Sequence, residues 1–130
     1  VRGDWRFQHD ARPLSGGRVL FFDNLGQRDH SRVLEVDARD GAVLWRYQAS
    51  EPGAFLSLCC GASQRLANGN TLITETARGH AFEVDPAGDT VWEYWSPHRV
   101  VASDGSEKVA RLFEVLRLPD AWPAALGFTP

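Results

Sequence analysis

The chain has 130 residues, 43% of them hydrophobic and 24% charged, the balance of an ordinary globular domain. A formal net charge of −3 gives no basic field to attract nucleic acid or an acidic membrane surface. The apolar runs are far shorter than the ~20 residues that span a bilayer, and no signal peptide is visible.

In chain order, residues 7–13 read as a short strand, and Ser15-Gly16-Gly17 as a turn. Residues 18–23 form a strongly apolar strand, and 24–31 a polar loop around Gly26. Residues 32–37 alternate, with Val33, Glu35 and Asp37 on one face and Leu34 and Val36 on the other. Arg39-Asp40-Gly41 is a hairpin signal, since glycine accepts the positive φ such turns need, and 42–48 is the returning strand. This set then repeats. His9 to Phe22 reads against Gly61 to Thr74 at an offset of 52 residues, Leu34-Glu35-Val36-Asp37 against Phe82-Glu83-Val84-Asp85, and Val43-Leu44-Trp45-Arg46-Tyr47 against Thr90-Val91-Trp92-Glu93-Tyr94. The turns recur as Asn68-Gly69-Asn70 and Pro86-Ala87-Gly88-Asp89.

A repeat of roughly 40–50 residues built from short strands marks β-propeller blades. The expected fold is therefore all-β, with two four-stranded antiparallel blades over about 7–48 and 59–96. A further strand is expected over 107–118, with a proline-rich tail over 119–130 that wraps a surface. Two blades cannot close a ring. Together with the absence of Met and a start at Val1 just before a strand, this reads as the C-terminal piece of a longer polypeptide whose upstream blades complete the propeller. Trp45 and Trp92 close equivalent strands, each two residues before a tyrosine, and are expected to pack between blades and not around a ligand.

Among residues that carry chemistry, His9 is the first candidate. It lies on the first strand of the first repeat, while Gly61 at the matching position has no side chain. That asymmetry within a repeat is what a functional site produces, and drift produces it too. His9 is expected to point out of the apolar layer, on the side of Gly61. His30, His80 and His98 form no metal-like spacing and read as solvated or capping residues. Cys59-Cys60 has no second pair for zinc and reads as small buried residues, or as a vicinal disulfide in an exported protein. Glu75, Glu83 and Glu93 read as exposed strand residues. No metal or cofactor set is recognisable.

Gln8-His9-Asp10-Ala11, Val19-Leu20-Phe21-Phe22-Asp23-Asn24 and Ser31-Arg32-Val33-Leu34-Glu35 resemble the bacterial arylsulfotransferase (arylsulfate sulfotransferase) family. Gly61-Ala62-Ser63-Gln64-Arg65-Leu66, Asn68-Gly69-Asn70-Thr71-Leu72-Ile73 and Val91-Trp92-Glu93-Tyr94 are similar to its final blades. The resemblance covers about residues 7–118. It implies a six-bladed propeller, commonly periplasmic or membrane-anchored, that moves a sulfuryl group from an aryl sulfate to a phenol through a histidine intermediate. His9 would be that histidine, with Asp10 where the family has threonine. An imidazole suits the task, because its neutral nitrogen is nucleophilic near pH 7 and a covalent intermediate divides one hard displacement into two. A carboxylate beside it would favour the protonated, non-nucleophilic form. Asp10, Gln64 and Arg65 are the local candidates for substrate contacts. The His-x-Asn pair and the arginine that steady the sulfuryl oxygens in the family belong to earlier blades. The alternatives are a non-catalytic propeller that binds a ligand or protein, and a quinoprotein-like propeller; propellers host many tasks.

Overall fold

The computed structural model describes residues 3–27, 29–119 and 127. The described chain is almost entirely β. Strands β1 (Gln8–Leu14), β2 (Arg18–Gln27), β3 (His30–Asp37) and β4 (Val43–Tyr47) form one antiparallel meander. Strands β5 (Ala62–Arg65), β6 (Thr71–Glu75), β7 (His80–Val84) and β8 (Thr90–Trp95) form a second in the same order. These are the two propeller blades. Trp45 faces Glu35 across β4 and β3, and Trp92 faces Glu83 across β8 and β7, so the tryptophans occupy equivalent positions.

Alternation explains how one sheet serves two layers. One face of blade one sends Leu20, Phe22 and Val33 toward Ile73, Phe82 and Val84 of blade two. Phe55, from the connection between the blades, plugs the seam. Its ring lies edge-on to Phe22 at 5.4 Å, Tyr47 at 5.4 Å and Phe82 at 5.6 Å. Burying each such ring is worth about 1.5–3 kcal/mol, and aromatic pairing adds about 0.5–1.5 kcal/mol. The opposite face of blade one buries Phe21, Leu34 and Val36, with Trp5 folded back edge-on to Phe21. β3 is therefore buried on both sides, Glu35 and Asp37 included.

Several expectations change. The loop expected over 24–31 is mostly strand, because β2 runs on to Gln27 and β3 begins at His30. What holds it is a buried ion pair. Arg32 donates to Asp23 at 2.8 and 2.5 Å, and the other Asp23 oxygen accepts the backbone N–H groups of Arg6 and Gly26. Gly26 is needed here, since a Cβ would stand 2.0 Å from Asp23 Oδ2. The strand expected over 107–118 is confined to β10 (Glu107–Val109), which pairs with β9 (Arg99–Val101) in a separate hairpin. Residues 110–118 run without strand structure beside blade two. Of the tail, residues 120–126 and 128–130 lie outside the described residues.

Glu75 and Glu83 are buried, not exposed. Glu75 accepts from the Leu56 backbone N–H, and its other oxygen lies 3.3 Å from His80 Nδ1. His80 is not solvated either. Its ring stacks on Trp95 at 3.8 Å and its Nε2 lies 3.3 Å from Glu93. Aligned through the repeat, Glu75 and His80 stand where blade one has Asp23 and Arg32, each pair directly opposite across its second and third strands.

At the β3–β4 turn, the Arg39 side chain, with help from its backbone N–H, holds Asp37 well below the usual carboxylate range, to about 2. The stabilisation from this pair is complete above the ordinary carboxylate pKa and is lost as the pH falls from about 4 through about 2. NMR titration of Asp37 should give a midpoint near 2, moving toward the ordinary value in Arg39→Ala. The buried pair gives a second prediction. Asp23→Ala should cost about 3–5 kcal/mol in urea unfolding because it strands Arg32, whereas Asp23→Leu with Arg32→Met should recover most of the loss.

Candidate functional site at the first strands of the blades

β1 and β5 lie side by side, and residues 113–118 run against blade two, where the Val115 and Arg117 N–H groups donate to Thr74 and Gln64. His9 is exposed, outside both apolar clusters, and its Nδ1 is 3.0 Å from the Gly61 carbonyl oxygen. This is the side expected for it. A carbonyl only accepts, so the neutral ring carries its proton on Nδ1 and leaves the Nε2 lone pair free. The glycine opposite has a packing cause. Gly61 sits at φ +94°, and a Cβ there would be 2.7 Å from the Phe22 ring. The glycine in this pair is thus explained by its left-handed backbone and by the Phe22 ring together.

The ladder between β1 and β2 slips between His9 and Arg12, and Asp10 takes a left-handed φ of +52°. Such bulges re-aim side chains. Here the Asp10 carboxylate turns toward its neighbours, not toward the imidazole. It accepts the Ser63 backbone N–H at 2.7 Å and the Arg12 Nε at 2.9 and 3.0 Å. Arg12 reaches on to Glu114. One aspartate therefore ties the first strands of the two blades together, and Arg12 links them to the segment beyond.

Gln64 and Arg65 are also committed. The Gln64 side chain brackets one residue: its Oε1 accepts the Arg117 N–H at 2.8 Å, and its Nε2 donates to the Arg117 carbonyl at 3.1 Å. Arg65 closes the seam. Its guanidinium lies 4.4 Å over the Trp45 ring and donates to Glu35 at 2.7 Å and Thr71 at 2.7 Å. Arg18 takes the second Glu35 oxygen at 2.6 Å. Trp45 in turn donates to the Pro86 carbonyl at 3.0 Å.

The same clasp occurs again. Arg117 lies 5.5 Å over Trp92 and donates to Glu83 at 2.7 Å, while Asn70, at the position of Arg18, takes the second Glu83 oxygen at 2.7 Å. Two open grooves lie over the clasps, one about 490 Å³ along Glu35, Trp45 and Arg65, the other about 550 Å³ along Gln64, Glu83 and Arg117. Features present at both repeats belong to blade packing; His9 lines neither groove. The sequence carries a signal for this third position. Leu14, Leu66 and Leu118 are spaced by 52 residues, and Arg65-Leu66 returns as Arg117-Leu118.

Cys59 is exposed and Cys60 half-buried, and both are free thiols, against the expectation of small buried residues. A hydrogen bond with Cys59, then burial, pushes the Cys60 thiol up. The loop is pinned by Asn24, which donates to the carbonyls of Ser57 and Cys60. Among the described residues, no group of three or more His, Cys, Asp or Glu side chains could hold a metal ion.

Residues 5–115 match the sequence family described as outer membrane protein assembly factor BamB. No curated protein matches the chain. Among solved structures, the chain is similar to a protein of unknown function from Bacteroides caccae, with 21% identity and a TM-score of 0.47 over 77% of this chain. The chain spans 36% of that protein's length.

The clasp predicts an asymmetry between cation chemistries. Arg65→Ala should cost about 2–3 kcal/mol in chemical unfolding, the range of a lost charge-assisted hydrogen bond whose partner stays buried. Arg65→Lys should recover only part of it, since an ammonium cannot lie flat on Trp45 and reach Glu35 together.

Proposed function

The chain belongs to the family described as outer membrane protein assembly factor BamB, and from that premise we propose that it serves as a propeller scaffold for protein partners outside the cytoplasm. The observation that carries this reading is the commitment of the first-strand cations. Arg12, Arg65 and Arg117 are each engaged by carboxylates, on Asp10 and Glu114, on Glu35, and on Glu83. Transfer chemistry needs fixed donors where charge develops on the migrating group, and these three are spent on joining blades. Asp10 and Gln64 are likewise spent on backbone partners of the neighbouring segment. An exposed sheet edge can take a strand from a protein partner, and β8 is the edge strand of blade two, its side chains exposed along its whole length. The family description places its namesake among outer membrane protein assembly factors, which supports an extracytoplasmic setting and a protein as partner. Among the described residues no helix is long and apolar enough to cross a membrane.

A second reading is favoured by one feature, the free Nε2 of His9. In sulfuryl transfer that nitrogen would attack the donor sulfur, the sulfur–oxygen bond to the aryl group would break, and a phenolate would leave. The oxygen of an acceptor phenol would then displace the histidine and lose its proton to solvent. Here the anion-stabilising donors would come from other blades of the same propeller, and the donor would be an aryl sulfate.

One assay separates the two. The protein, with any further blades of its natural chain, is given a chromogenic aryl sulfate and a phenol acceptor. The scaffold reading expects no transfer above background and no difference in His9→Ala. Turnover that disappears in His9→Ala, with the fold unchanged by circular dichroism, would overturn it in favour of the histidine nucleophile.

A further inference from the structure

We propose that Cys59 and Cys60 form a vicinal dithiol site, which closes reversibly to a disulfide by exchange with the disulfide of a small thiol. This chemistry goes beyond the scaffold reading. That a small disulfide reaches the pair in the cell rests on the extracytoplasmic setting; the exchange itself does not.

The thiols occur at one repeat only. At 52 residues before and after, their positions are held by Phe7-Gln8 and Arg111-Leu112. In this they differ from the clasp residues, which return from blade to blade. The backbone around them is fixed. Ser57 Oγ donates to the Cys59 carbonyl at 2.7 Å, Asn24 Nδ2 to the Cys60 carbonyl at 2.8 Å, and the Gly61 N–H to Thr76 Oγ1 at 3.0 Å. Asn24 is itself buried and donates a second time, to the Ser57 carbonyl at 2.7 Å. Cys60 is held in the left-handed region at φ +63°, which non-glycine residues seldom adopt. In this arrangement the two side chains touch, the Cys60 thiol being hydrogen-bonded to Cys59.

The two sulfurs differ in access, and this divides their roles. Cys59 is exposed and can meet an incoming disulfide, whereas Cys60 is half-buried. The hydrogen bond with Cys59, then burial, keeps the proton on Cys60, and the charge of Arg111 works against both. Cys59, having lost its proton to solvent, attacks one sulfur of the incoming disulfide. That S–S bond breaks, and a thiolate leaves and takes up a proton. Cys60 then gives its proton to solvent and attacks the Cys59 sulfur of the mixed disulfide. A bond forms between the two cysteines, and the second thiolate leaves and is protonated. The pair loses two hydrogens and two electrons, and the small disulfide gains them.

Covalent geometry makes the product reversible. Adjacent Cα atoms are about 3.8 Å apart, whereas those joined by a disulfide ordinarily stand about 4.4–6.8 Å apart. A ring between neighbours is therefore easily reduced, the character of a responsive bond and not of a structural one.

The test uses the 130-residue chain, glutathione disulfide as the probe, and intact and peptide mass spectrometry. The unmodified chain should lose both thiols and two hydrogens, located to Cys59-Cys60, with no lasting glutathione adduct, and mild dithiothreitol should restore both thiols. Cys60→Ser should stop at a glutathione adduct on Cys59. Cys59→Ser should react about tenfold more slowly than Cys60→Ser, because its remaining thiol is half-buried. The proposal is overturned by an unsubstituted chain that stops at a lasting adduct on Cys59, by a disulfide that joins two chains, or by a Cys59→Ser chain that reacts as fast as Cys60→Ser. The unsubstituted arm decides by itself if a serine variant loses its fold by circular dichroism.

Discussion

The architecture depends on a carboxylate that has no business in an apolar seam. Glu35 is 5% exposed, on the face of β3 that meets blade two. A buried carboxylate without partners costs several kcal/mol, more than any single apolar contact here returns. It is tolerable only because Arg18 comes from within the blade and Arg65 from the next one. Arg65 can reach it only when β5 lies against β1, and its flat guanidinium then covers Trp45. The charge makes the seam directional: it specifies which blade comes next and in what register, where apolar residues alone would accept sliding. Blade two repeats the device with Glu83 and Arg117.

The same logic governs the second and third strands. Blade one closes its outer end with the ion pair of Asp23 and Arg32, in which a planar guanidinium meets the carboxylate. Blade two closes it with Glu75 and His80, and a histidine also has a flat face to give to Trp95 and Phe82. Repeats diverge at such positions because the requirement is geometric, a donor opposite a buried carboxylate, and more than one side chain meets it.

Polar residues around His9 looked available for substrate when read along the chain. In space Asp10 holds Ser63 and Arg12, Gln64 holds Arg117, and Arg65 holds Glu35. What remains at the first strands is a histidine fixed by a carbonyl, in a setting where the other polar groups join one blade to the next. A scaffold needs that rigidity more than it needs free donors.

Strand alternation, turn glycines and the 52-residue repeat determined the all-β fold, both meanders and the equivalence of Trp45 and Trp92, because each depends on local backbone preference and a period of two. The third occurrence of the repeat, Arg117-Leu118, was equally legible. It is hidden only by the poor alternation around it, and residues 110–118 are not assigned as strand. Burial of Glu75, Glu83 and His80 was not legible, since a charged residue on an alternating strand looks the same whether its face meets water or another sheet. Nor was the role of Phe55, which sits in a connection with no periodicity and plugs the seam only after two sheets meet. Tertiary structure decided these, and decided that Asp10, Gln64 and Arg65 face neighbouring segments, because hydrogen bonds across separations of 53, 53 and 30 residues exist only once the sheets are built against one another.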